Sequence, residues 1–141
     1  MKKIILLVTV LVSTYSFAQA KIEFTAKDNT IDYGNVYKDV DSGVRVFEFT
    51  NTGDAPLTII NVQSTCGCTV PSKPAEAILP GKKGEISVKY NMNPGPIRKT
   101  ISVETNAVNV EDGRIALKIK GEVLVKEEVN LLEKKKSSPM Q

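Results

Sequence analysis

The chain has 141 residues, with 19 basic side chains against 16 acidic ones, two cysteines, no histidine and no tryptophan. Without histidine, Ser-His-Asp and Cys-His nucleophilic sites, imidazole acid–base chemistry and His-built zinc centres are excluded. The surplus positive charge sits in Lys2, Lys3 and the Lys126–Gln141 tail, so residues 21–125 balance at 13 basic and 13 acidic side chains. That even body offers no basic stripe for nucleic acid.

Residues 1–20 read as a secretory leader. Lys2 and Lys3 supply the positive start, Ile4 to Val12 the apolar run, and Ala18-Gln19-Ala20 the small residues of an A-x-A cleavage site. The run is short for a membrane span, so the expectation is a mature protein that begins at Lys21. It carries no transmembrane segment and is periplasmic or secreted. Neither cysteine lies near that cleavage site to carry a lipid.

Short runs with period-two alternation then recur between turn signals, without sustained helical periodicity. Lys21 to Ala26 places Ile22 and Phe24 on one face, and Asp28-Asn29 turns the chain into Ile31 to Tyr37. After Asp41-Ser42-Gly43, Val44 to Thr50 turns Phe47 and Phe49 inward and Glu48 outward. The loop from Asn51 to Pro56 assigns Gly53 a positive φ. Leu57 to Ser64 follows, and Thr65 to Val70 carries Cys66 and Cys68 before Pro71 closes it. Two prolines keep residues 71–76 from pairing as a central strand.

Beyond Pro80-Gly81 and Gly84, Glu85 to Tyr90 puts Ile86, Val88 and Tyr90 on one face. Asn93-Pro94-Gly95-Pro96 breaks the pattern, and Lys99 to Thr105 and Arg114 to Val123 are the last two runs. Residues 126–141 are a charged tail expected to be mobile. Seven to eight short strands with Gly/Pro turns between them predict an all-β, Ig-like antiparallel β-sandwich over residues 21–125. The cysteines are too close in sequence to bridge two sheets in the antibody manner.

The residues also carry a family pattern. Phe47, Phe49, Asn51, Thr52 and Gly53 make F-x-F-x-N-T-G, and Pro56, Leu57 and Ile59 make P-L-x-I. Cys66, Gly67, Cys68, Thr69 and Pro71 make C-G-C-T-x-P, followed by Pro80-Gly81 and by Gly84, Ile86 and Val88 as G-x-I-x-V. From about Tyr33 to Gly121 the chain resembles the bacterial family called domain of unknown function 1573. The resemblance implies a fold related to major sperm protein and pilus chaperones and a place in the cell envelope. It marks Asn51, Thr52, Gly53, Gly67, Thr69, Pro71 and Gly81 as structural signature and implies no activity.

The cysteine pair is where chemistry could reside, and three readings stay open. In an extended strand Val62, Ser64, Cys66, Cys68 and Val70 share one face, so the pair can be two small buried thiols. Export favours a disulfide, although Cα atoms two apart in a flat strand stand about 6.5–7 Å apart and Gly67 must then supply a kink. Such a bond closes a tiny ring, a poor staple but a candidate for redox exchange. Two thiolates also suit Cu(I), with Met92 the one body methionine able to join them, whereas zinc lacks ligands. Asp39/Asp41 and Glu111/Asp112 are turn carboxylates. The sequence thus points to a non-enzymatic envelope domain without a cofactor. It would bind an unidentified partner by strand addition, with redox or Cu(I) handling as the alternative.

Overall fold

The structure is a computed structural model that describes residues 16–126. The apolar run of the expected leader and the tail past Lys126 lie outside the described residues. Eight strands follow one another: β1 (Ile22–Phe24), β2 (Thr30–Tyr37), β3 (Val44–Asn51), β4 (Ile59–Ser64), β5 (Thr69–Ser72), β6 (Lys83–Tyr90), β7 (Gly95–Thr105) and β8 (Arg114–Leu124). They form two four-stranded sheets, in the orders β1-β3-β6-β5 and β2-β8-β7-β4.

Alternation along each long strand sets the layering. In β3, Phe47 and Phe49 are fully buried while Val44 and Val46 face out. Ile86, Val88 and Tyr90 of β6 continue that inner face. Ile97, Ile101 and Val103 of β7 and Ile115, Leu117 and Ile119 of β8 supply the opposite one. Successive side chains on a strand point to opposite faces, so a period of two yields one buried row per strand. Burying each Phe, Ile, Leu or Val contributes roughly 1.5–3 kcal/mol. Phe24 closes one end, its ring 6.4 Å from Phe47 in a T-shaped contact and 5.6 Å from Phe49.

Several expectations need correcting. Pairing is antiparallel except between β2 and β8, which run parallel. The chain crosses from one sheet to the other through the turn at Lys27–Asn29, and such a crossing does not impose the antiparallel return of a tight hairpin. β7 begins at Gly95 and takes in Pro96, opposite Glu122 of β8. β4 pairs with β7 only from Ile101 onward, so at Pro96 the other flank of β7 has no ladder to break. Pro71 lies inside β5 opposite Val88, which an edge strand tolerates. Leu57 precedes β4 and makes a single bridge to Ile78.

Candidate functional site

The C-G-C element sits at a corner of the sandwich. β4 ends at Ser64 in one sheet and β5 starts at Thr69 in the other, so Thr65–Cys68 is the link between sheets. The expectation of an extended strand through Cys66 and Cys68 fails because the chain must turn there to change sheets. The turn brings their Cα atoms to 5.4 Å, and the two cysteines form a disulfide. Thr65 N–H donates to Thr100 O at 3.2 Å, and Cys68 O accepts from Asn91 N–H at 2.9 Å, which pins both ends of the link.

Both cysteines are half-buried, Cys68 against the rim of the core, and Cys68 Sγ lies 4.0 Å from Thr69 Oγ1 of the buried Thr69. Gly67 is exposed between them, with open space where a Cβ would stand. Its φ is not left-handed, so no local constraint in the fold demands glycine at this position. In the oxidised pair neither sulfur is a free thiol, and the buried-thiol and Cu(I) readings belong to a reduced protein. Met92 is buried and lies against Gly43. Among the described residues no three His, Cys, Asp or Glu side chains gather to hold a metal.

The N-T-G signature is a hub. The Asn51 side chain is fully buried, and its Nδ2 donates to Ala55 O at 2.7 Å and Ile78 O at 2.9 Å. Its Oδ1 accepts from Gly53 N–H at 3.0 Å and, more distantly, from Lys21 N–H at 3.5 Å. Thr52 N–H donates to Lys21 O, and Gly81 N–H to Asn51 O. One amide thereby joins three segments remote in sequence: the approach to β1, the loop after β3 and the loop before β6.

Gly53 does not take the positive φ that the sequence assigned to it. Glycine is needed because residues 19–21 pass so close that a Cβ would strike Gln19 O and Lys21 N. Gly81 does adopt a left-handed φ of 76°. Gly84 lies opposite Phe49, and a Cβ there would enter the Phe49 ring, so the glycine of G-x-I-x-V makes room for the phenylalanine of F-x-F.

A second cluster escaped the sequence reading. Arg45 reaches back to Asp41 with two hydrogen bonds of 3.0 and 2.7 Å, and its guanidinium lies 4.1 Å above the Tyr33 ring. The pair is only partly exposed, 26% for the Arg45 side chain and 19% for Asp41. Tyr33 donates its hydroxyl proton to Gly43 O at 2.8 Å. The Arg45 hydrogen bond holds the Asp41 carboxyl below the usual carboxylate range. Burial pushes the Tyr33 hydroxyl up to about 12. Asp41 also accepts from Gly43 N–H, the backbone role expected of a turn aspartate. The cluster locks the loop between β2 and β3. The four-residue spacing of Asp41 and Arg45 was visible in sequence, but the stacked Tyr33 comes from a strand of the other sheet.

Two facing sheets with these edges and this corner define an Ig-like sandwich. The family model for "Protein of unknown function (DUF1573)" matches residues 24–123, and the chain belongs to that family. No curated protein matches it. Among solved structures it is similar to a protein of unknown function from Porphyromonas gingivalis W83, with 18% identity and a TM-score of 0.64. The match covers 80% of this chain and 51% of that one, so the chain spans about half the length of that relative. It is also similar to the ASH / PapD-like domain of human CEP192 (PapD-like domain 7), at 13% identity and TM-score 0.55, covering 85% of this chain and 97% of that one. The YadV chaperone matches at 12% identity and TM-score 0.52, over 73% of this chain and 52% of that one. At these identities the likeness concerns the fold.

Proposed function

We propose that this is an exported, non-enzymatic domain of the cell envelope that binds an extended segment of another protein beside β4. The observation that carries the reading is the state of the sheet edges. β4 is six residues long and, among the described residues, is paired on one side only, by β7. A register shift at its start leaves Ile60 52% exposed on this edge. The other edges are poorer templates: β1 has three residues, β5 has four and includes Pro71, and β2 is broken in its middle between Asp32 and Asn35, whereas the shift in β4 falls at its first residue and leaves Asn61–Ser64 in register. An unpaired row of N–H and C=O groups is what strand addition uses, and a chaperone with this sandwich fold is consistent with a binding role.

The test places a photo-reactive residue at Gln63, on this edge, and in a second protein at Ala116, on the outer face of β8. Irradiation in envelope fractions should give a discrete adduct from position 63 and none from 116. Absence of an adduct at 63, or equal labelling at both, overturns the reading.

A second reading has its own support in the half-exposed disulfide with no side chain over Gly67. An incoming thiolate could attack one sulfur, release the other and leave two thiols once a dithiol donor is oxidised. Thiol counting by mass with and without reductant tests this reading. A pair that resists mild dithiols in the folded protein rejects it.

A further inference from the structure

We propose that export processing cuts the chain between Ala18 and Gln19, leaving Gln19 and Ala20 as working parts of the mature domain. The inference rests on the export reading and places the mature start two residues upstream of Lys21. Two overlapping sites satisfy the requirement for small residues one and three places before the cut. Ala18 and Ala20 serve a cut after Ala20, and Ser16 and Ala18 serve a cut after Ala18. Spacing alone does not choose between them, and the packing of residues 19 and 20 favours the upstream cut.

Ala20 is 4% exposed and belongs to the core cluster, and its carbonyl accepts from Val108 N–H at 3.0 Å. Gln19 O accepts from Asp54 N–H at 2.9 Å and Ala55 N–H at 3.4 Å. Gln19 N–H donates to Asp54 Oδ1 at 2.6 Å. Gly53 lacks a side chain where Gln19 and Lys21 press against it. A cut after Ala20 would delete a core side chain and strip the acceptors from Val108, Asp54 and Ala55. It would also leave Gly53 facing a gap. Burial ends just upstream: Ala18 and Ser16 are exposed, and Phe17 is 81% exposed. A cut after Ala18 removes a largely exposed apolar side chain and no buried residue. It also sets the new terminal nitrogen against the Asp54 carboxylate, where a charged amine makes a stronger hydrogen bond than an amide.

The experiment is intact-mass measurement of the full chain expressed in a Gram-negative host and recovered from the periplasm. The expected species starts at Gln19, and one that has lost ammonia by cyclisation of an N-terminal glutamine counts as the same start. A species starting at Lys21 overturns the assignment while leaving export intact. An envelope-bound or cytoplasmic species that retains Met1 overturns both. Ser16→Lys provides an independent check, because residue 16 is critical only for the upstream cut. A start displaced to Lys21, or accumulation of precursor, supports the proposal, and a start unchanged from the parent refutes it.

Discussion

If Asn51 is the hub of the fold, Asn51→Ala should be among the most damaging substitutions that spare every apolar core residue. The change removes two donors from Ala55 O and Ile78 O and one acceptor from Gly53 N–H, all at 2.7–3.0 Å. Ile78 O keeps its 2.9 Å bond from Leu57 N–H, so Ala55 O and Gly53 N–H are the partners left short. Each costs on the order of 1–3 kcal/mol, and the vacated amide adds a small cavity. Some carbonyls regain water, so a total of roughly 3–5 kcal/mol is expected. For a domain of about 100 residues each kcal/mol lowers Tm by roughly 4–5 °C, the low end of the range for small domains, which puts the shift on the order of 12–25 °C. Thermal and urea melts followed by circular dichroism read it directly.

Asn51→Asp sharpens the argument. A carboxylate cannot donate, and it would face two carbonyl oxygens in a buried site, so its folded-state pKa should rise above the ordinary value of about 3.9. A raised folded pKa means that the variant is least impaired below pH ~4 and loses stability as pH climbs through that raised value. A variant Asn51→Ala that melts within about 4 °C of the parent refutes the hub, since that is the effect of roughly 1 kcal/mol. So does an Asn51→Asp whose deficit ignores pH.

Gly53→Ala should destabilise by roughly 1–3 kcal/mol because its Cβ meets the backbone of residues 19–21, while Gly67→Ala should stay within about 0.5 kcal/mol; paired melts compare them. Reducing the Cys66–Cys68 disulfide opens a ring that holds just Cys66, Gly67 and Cys68, so loop entropy limits the loss to about 1.6 kcal/mol, and a collapse of the fold on reduction would contradict this. Arg45→Met should cost roughly 1–2 kcal/mol at neutral pH by removing the partly buried ion pair and the stacking on Tyr33. Because the folded-state carboxyl of Asp41 is depressed, its stabilisation holds above the usual carboxylate range and fades as pH falls through the folded value; denaturant titrations should show a flatter acid limb in this variant. Tyr33 has the opposite sign: raised from 10.0 to about 12, it stabilises below pH 10 and loses that contribution between 10 and 12, a limb that Tyr33→Phe should abolish.

The strands were legible because alternation is a local property. Phe47 and Phe49, Ile86 and Val88, and Ile115, Leu117 and Ile119 face the core as period two requires, whatever sheet each strand joins. The family signature was equally legible as residues, from Asn51-Thr52-Gly53 to Gly84, but not as causes. Gly53 read as a turn glycine and is a contact glycine, because the chain it touches lies more than thirty residues upstream. Gly84 owes its place to the Phe49 ring, which only the pairing of β3 and β6 brings over it.

The sequence by itself determined an all-β sandwich, excluded histidine chemistry and singled out Cys66 and Cys68. It left the state of the pair open because spacing alone does not say whether a strand or a turn carries it. Tertiary structure decided that point: the strands before and after belong to different sheets, and the crossing folds the two cysteines together. It likewise brought Gln19 and Ala20 into the domain, through hydrogen bonds to residues 54, 55 and 108 that local sequence does not encode. Alternation within a strand is written in neighbouring residues, whereas who meets whom across the sandwich depends on the path of the whole chain.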